Sequence, residues 1–423
     1  MDTLKKFSKI ALAAVVAVGM ASCTEEKGGD GGSKPTSNVI VSGLISSNTT
    51  WSSDNIYQLA GRVVVDENVT LTIEPGTIIK GQTETGSLAS VLIISRGGKI
   101  DAEGTAANPI IFTSLDDNIE KGQRVGTNLS RTQNELWGGL IILGKAPISA
   151  ENGDTETNIE GLPANEPYGL YGGTDVNDNS GTLKYVSVRH GGTTIGEGNE
   201  INGITFGGVG AGTVVDQVEV YATLDDGIEC FGGSVNINNA LIYFQGDDGV
   251  DLDMNYSGTF TNFAVIHGDG IGTDEGLEID GPENSTYTNG MFSLVNGTVT
   301  ALGNDGSPAD LKSKAQGTIT NVKFSYPDGA TLKVRASYQN DCADSKTDAF
   351  THLTDATPTL VIAGSEFDGG VSVYTGSTDN NDVDCTVPAV DQTAAEAVVV
   401  STTATGADMS VWSWTCASER GEL

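Results

Sequence analysis

The chain has 423 residues, with 22 Lys and Arg against 56 Asp and Glu for a formal charge of −34, and only 6% aromatic residues beside 56 glycines. A field of that sign repels phosphate backbones and anionic lipid headgroups, which excludes nucleic acid as a partner and favours cations or neutral glycans. Short Val-, Ile- and Thr-rich runs separated by Gly, Asn and Asp favour strands and tight turns over helices, so the expected class is all-β.

Residues 1–22 stand apart: Lys5, Lys6 and Lys9 precede an apolar run from Ile10 to Met20, and Ala21-Ser22-Cys23 follows. A charged stretch, an apolar run too short to span a bilayer and small residues before a cut have the layout of a signal peptide. The segment resembles a bacterial lipobox, which implies that Cys23 becomes the lipidated first residue. Residues 23–37 then form a polar, Gly-rich tether. Its acidic pair Glu25-Glu26 resembles the surface-export signal of Bacteroidota lipoproteins, so the expected location is the outer membrane, lipid-anchored and facing outwards. Loss of residues 1–22 removes three Lys and one Asp and leaves a formal charge of −36.

The folded part is expected to begin near Asn38, and its first clear unit is Val69-Thr70-Leu71-Thr72-Ile73-Glu74-Pro75-Gly76-Thr77-Ile78-Ile79, two alternating runs around a Pro-Gly turn. Further on, Val218-x-Val220, Ala240-x-Ile242 and Phe263-x-Val265 recur at 22 and 23 residues, and Ile228-x-Cys230 and Val250-x-Leu252 recur at 22. A period in that range, with the in-out phase kept in each strand, marks a stacked repeat whose inward residues form apolar columns. Val218, Val220, Ile228, Cys230, Ile242, Val250, Leu252, Leu277 and Ile279 are the expected core. The runs Leu92 to Thr105, Trp137-Gly138-Gly139-Leu140-Ile141-Ile142-Leu143 and Leu183-Lys184-Tyr185-Val186-Ser187-Val188-Arg189 resemble the pectin-lyase-like superfamily, and more narrowly a group of Bacteroidota surface lipoproteins. The resemblance implies a right-handed parallel β-helix, assigned here to residues 38–335.

Residues 116–135 and 150–181 lack periodicity and are expected to project as long loops from one side, with Tyr168 and Tyr171 as a candidate glycan platform. Residues 336–423 are expected to supply the terminal rungs and a cap with an insertion: strands at Leu360-Val361-Ile362 and Val371 to Tyr374, a short helix from Ala394 to Val400 and a last strand at Val411 to Trp414. Among Cys342, Cys385 and Cys416 one disulfide is expected in an exported protein, with Cys342 and Cys385 the favoured pair and the partner left open.

The chemistry concentrates in three copies of one phrase: Asp225-Asp226-Gly227-Ile228-Glu229, Asp247-Asp248-Gly249-Val250-Asp251 and Asp274-Glu275-Gly276-Leu277-Glu278. Stacked in register they make columns of Asp225, Asp247 and Asp274, of Asp226, Asp248 and Glu275, and of Glu229, Asp251 and Glu278. Asp253 and Asp280 extend a fourth. Rungs lie about 4.8 Å apart, where two like charges repel by about 0.9 kcal/mol in water and about 3.5 kcal/mol at an effective dielectric near 20. Such a stack persists if the carboxylates splay into solvent, take up protons, cap backbone N–H groups or share a cation. Ca²⁺, which takes 6–8 oxygen ligands, suits this set.

A catalytic alternative rests on resemblance. Gly246-Asp247-Asp248 resembles the paired aspartates of polygalacturonases, Ile266-His267-Gly268 resembles half of their histidine signature, and Arg189 is the candidate base for pectate-lyase chemistry. Against it, no basic groove beside the carboxylates is visible in the sequence. The expectation is therefore a non-enzymatic binding module with an acidic, Ca²⁺-binding face and loops engaging a glycan or an outer-membrane protein; polysaccharide cleavage and a structural surface spacer or adhesin are its rivals.

Overall fold

The computed structural model describes residues 37–84, 86–163, 166–196, 199–375 and 385–423. Cys23, the signal segment and the tether lie outside them, except for Ser37, which opens the first strand. Almost every strand belongs to one 24-stranded sheet whose pairings are parallel and link each strand to the equivalent strand one turn of chain further on. The fold is a parallel β-helix with three faces.

The first face runs through Thr70–Ile73, Lys99–Glu103 and the opening halves of Gly181–Arg189, Val214–Tyr221, Asn236–Tyr243 and Thr259–His267. The closing halves of those four strands make the second face, where Val218 pairs with Ala240 and Ala240 with Phe263. The third face stacks Val91–Ile94, Leu140–Leu143, Ile204–Gly207, Ile228–Phe231, Val250–Asp253, Leu277–Ile279, Ala309–Leu311, Leu332–Arg335 and Val371–Tyr374. All nine residues expected inside are in the core. Parallel strands need cover on both faces, and the shared interior covers one of them.

The corner between the first two faces is one residue wide. Gln217, Asn239, Asn262, Asn296 and Asn321 occupy it with φ of 54 to 58°, a left-handed conformation that Asn tolerates better than most residues. Their amides also stack, with Asn262 Nδ2 donating to Asn239 Oδ1 (2.8 Å) and Asn321 Nδ2 to Asn296 Oδ1 (2.7 Å).

Three expectations change here. The two long loops cover two different faces, because each face carries outward aliphatic residues in its early rungs. Ile119 packs on Ile56, Ile78 and Ile111 of the second face, while Ile159, Leu162 and Tyr171 pack on Ile93 and Ile141 of the third. The late helix is Ala389–Val398, set earlier than Ala394 to Val400. The segment Val411 to Trp414 is no strand: Met409–Trp412 is a 3₁₀ turn within a strap that runs back across the rungs. Asp408 N donates to Asn262 Oδ1, Trp412 Nε1 to the Asn239 carbonyl and Trp414 Nε1 to Gln217 Oε1. The alternation read as a strand is that of two tryptophans inserting into the outer surface. Leu360–Ala363 and Val371–Tyr374 are strands as expected, and Cys342 is bonded to Cys385, with Cys416 free and buried.

Candidate functional site

The acidic phrases stack as their spacing predicts. Glu229 pairs with Asp251 and Asp251 with Glu278 on the outer side of the third face. The ladder continues through Asp310 to Lys333. In the turn before each strand, the second acid serves the backbone: Asp226 Oδ1 accepts from Asp248 N (2.9 Å) and Asp248 Oδ1 from Glu275 N (2.6 Å). Capping explains one column, leaving the strand column to be satisfied some other way.

At the later end, cations do this. Lys333 bonds Glu275, and Lys312 bonds Glu278 and stands 3.6 Å from Asp280. Burial pulls the Lys312 amine down, but Asp280 and Glu278 outweigh it and hold the ammonium well above its usual range. These lysines correct the expectation that the carboxylates have no basic neighbours. They come from two later rungs, and no local phrase announces them.

At the earlier end no Lys or Arg among the described residues bonds the carboxylates, and Lys312 reaches Asp251 only through longer-range Coulomb attraction. Asp226, Glu229 and Asp251 are all buried and offer oxygens within 4.8 Å of one another. Asn202, which the sequence reading passed over, donates to Glu229 and to Thr205 Oγ1 (3.2 Å). Asp251 is 7% exposed, and its Oδ1 has no hydrogen-bond partner among the described residues; neither does the Oδ1 of buried Asn202. Burial, then Coulomb repulsion from neighbouring acids, holds Asp226, Glu229 and Asp251 well above the carboxylate range. Asp225 is pushed up to about 8 by burial and then by Asp247, Glu200 and Glu160, and Asp247 to about 6 by burial and then by Asp274. Half-buried Asp225 and exposed Asp247 lie close to Asp226, so a line of carboxylates leads from solvent to the buried triad.

The residues present fit a hard divalent cation. Oxygens ligating one Ca²⁺ at about 2.3–2.6 Å stand at most about 5 Å apart, and the triad meets that bound. Buried, like-charged oxygens with an unused acceptor are costly alone and become ligands once a cation replaces their protons. Asp248, Glu275 and Glu278 form a similar cluster, but Lys312 and Lys333 already neutralise it. Asp274 remains exposed at the rim.

The residues proposed for catalysis do not gather here. Arg189 is 1% exposed on the second face, where Nε donates to Ser187 Oγ (2.7 Å) and Nη1 to the Arg124 carbonyl (2.6 Å) beneath the C-terminal strap. It does not stand as a base beside the acids of the third face. His267 is fully buried edge-on to Tyr326, and burial lowers its imidazole to about 3. Asp247 and Asp248 are sequence neighbours with different surroundings, one exposed and one capping a turn. The glycan platform is also corrected. Tyr171 is 1% exposed with its hydroxyl 3.2 Å from Met254 Sδ, and Tyr168 packs on the same apolar cluster, because the early rungs of this face need cover more than the loop needs a platform.

Residues 43–416 match the family described as a pectate-lyase-like β-helix domain. The chain belongs to that family. No curated protein and no solved structure shows significant similarity to it. Membership accounts for the fold of this pectate-lyase-like chain, and its activity has to be argued from the site.

Proposed function

We propose that the protein is a non-enzymatic β-helix binding module, lipid-anchored through Cys23 and displayed on the outer membrane, whose third face binds Ca²⁺ at Asp226, Glu229 and Asp251. The observation that carries this reading is the unpartnered Oδ1 of Asp251 inside a buried triad of carboxylates. Three protein oxygens leave several of the 6–8 positions around Ca²⁺ for water or for oxygens of a bound partner. A glycan, or a carboxylate of an outer-membrane protein, would then be held through the ion rather than by tyrosines.

Polysaccharide cleavage is the weaker reading. A lyase needs a neutral base beside the ion, and the lysines of this face are ion-paired, with Lys312 held protonated. The test is calorimetric titration of Ca²⁺ into the chelator-treated protein. Stoichiometric binding by the wild type, lost in Asp251→Asn and kept in Asp274→Asn, supports the site; no heat and no shift in melting temperature with the wild type refutes it. Protease shaving of intact cells tests display, and Cys23→Ala tests the anchor.

A further inference from the structure

The two ends of the β-helix are finished differently. At the C-terminal end the last strand of the third face, Val371–Tyr374, has its outer edge sealed by one side chain: Val373 N donates to Gln392 Oε1 and Gln392 Nε2 to the Val371 carbonyl, both at 2.8 Å. Gln392 belongs to the helix Ala389–Val398, which together with Ala349–Thr354 covers the core there. Terminal rungs need such covers, because an open rung exposes both core and strand edge.

The N-terminal end has no equivalent among the described residues. Ser37–Ile45 pairs with Asn55–Val65 alone, and Thr49–Trp51 with Thr70–Ile73 alone. Inward-facing Val39, Val41 and Ile45 are only half-buried, while Ile40 is 65% exposed and Leu44 37%. The devices that usually blunt an edge are mostly missing: one irregularity interrupts the pairing between Val41 and Gly43, but from Pro35 to Ser53 there is no charged side chain. In a chain of net charge −34 that neutrality singles the rung out.

We propose that this rung is a self-association surface through which two copies meet end to end, Ser37–Ile45 of one lying antiparallel to Ser37–Ile45 of the other about a two-fold axis. Three features choose a second copy as the occupant. An edge strand offers the same donors and acceptors to its own symmetry mate, so the contact is self-complementary and closes at two. The charge-free rung is also where two strongly acidic molecules approach with least repulsion, since charges further along each helix fall towards the Debye length of about 8 Å. Finally, with residues 1–22 removed as the proposed anchor at Cys23 requires, residues 24–36 contain no aliphatic or aromatic side chain apart from Pro35 with which to cover Ile40 and Leu44.

The test uses the full chain in non-ionic detergent, with mass measured by light scattering and sedimentation over a range of concentrations, beside hydrogen exchange of the Ser37–Ile45 amides. The wild type is expected to be a dimer whose Ser37–Ile45 amides lose protection on dilution. Ile40→Lys, at an exposed position, is expected to weaken association at least tenfold with an unchanged melting temperature, and Val398→Lys on the capped end to leave it intact. A monomeric wild type overturns the proposal. So does a dimer that survives both Ile40→Lys and Leu44→Lys, or one that disappears in Cys23→Ala, which would assign it to the lipid. Concentration-independent protection of these amides in a monomer would show that the chain covers its own end.

Discussion

The two ends of the acidic ladder are built from the same phrase and reach opposite solutions. Around Glu275 and Glu278 the fold delivers Lys333 and Lys312, and the negative charge is cancelled inside the protein. Around Asp226, Glu229 and Asp251 the described residues deliver an amide from Asn202 and no bonded cation. Repetition of a sequence phrase therefore does not repeat a function. What surrounds each copy decides whether it is closed scaffold or open site.

The harshest way to break this comparison is to reverse one strand's phase. Val250 points into the core and Asp251 out of it. Val250→Asp buries an unpaired carboxylate at a cost of several kcal/mol and should abolish cooperative unfolding followed by circular dichroism. Asp251→Val, one residue along, should leave the metal-free protein as stable as the wild type or more so, since it removes a buried acid whose Oδ1 has no partner among the described residues.

Opening the closed end comes next. Lys312→Met leaves Glu278 and Asp280 without their cation; with the pair about one-fifth exposed at each side chain, the expected loss is about 3 kcal/mol, the low end for breaking a buried pair. Ca²⁺ should restore part of it in urea melts. If metal has no effect on this variant, the later cluster is not a latent copy of the earlier one.

A smaller effect measures the open end itself. Saturating Ca²⁺ at about 100 times its dissociation constant should stabilise the wild type by about 2.7 kcal/mol. Asp251→Asn should remove most of that gain in a thermal melt, whereas Asp274→Asn should keep it.

The smallest expected effect is a pH slope. Asp225 is held up to about 8 and Glu160 and Glu283 to about 7, each chiefly by burial, so the metal-free folded state binds more protons than the unfolded chain above the ordinary carboxylate range. Stability must then fall as pH rises towards these values. His190 and His267, lowered by burial to about 4 and about 3, act in the opposite sense, but only below their ordinary value of 6.5. Between pH 6.5 and 8 the carboxylates act alone among these groups, and unfolding in chelator should grow easier with pH. Added Ca²⁺ should flatten that slope.

Local pattern alone determined the period, the inward columns and the register of Glu229, Asp251 and Glu278, because in a parallel β-helix each rung repeats the in-out phase of the one before. The Cys342–Cys385 bond is the one formed although Cys385 lies nearer in sequence to Cys416, so separation along the chain did not choose the pair. Only the tertiary structure decided which carboxylates are neutralised, because Lys312 lies 34 residues from Glu278 and Lys333 58 from Glu275. It likewise took Tyr171 and Arg189 out of consideration, since a loop and a strap had to cover outward apolar surface that no period predicts. Alternation says which way a side chain points; what later chain lays over it depends on contacts far along the sequence, and there the scaffold and the site part company.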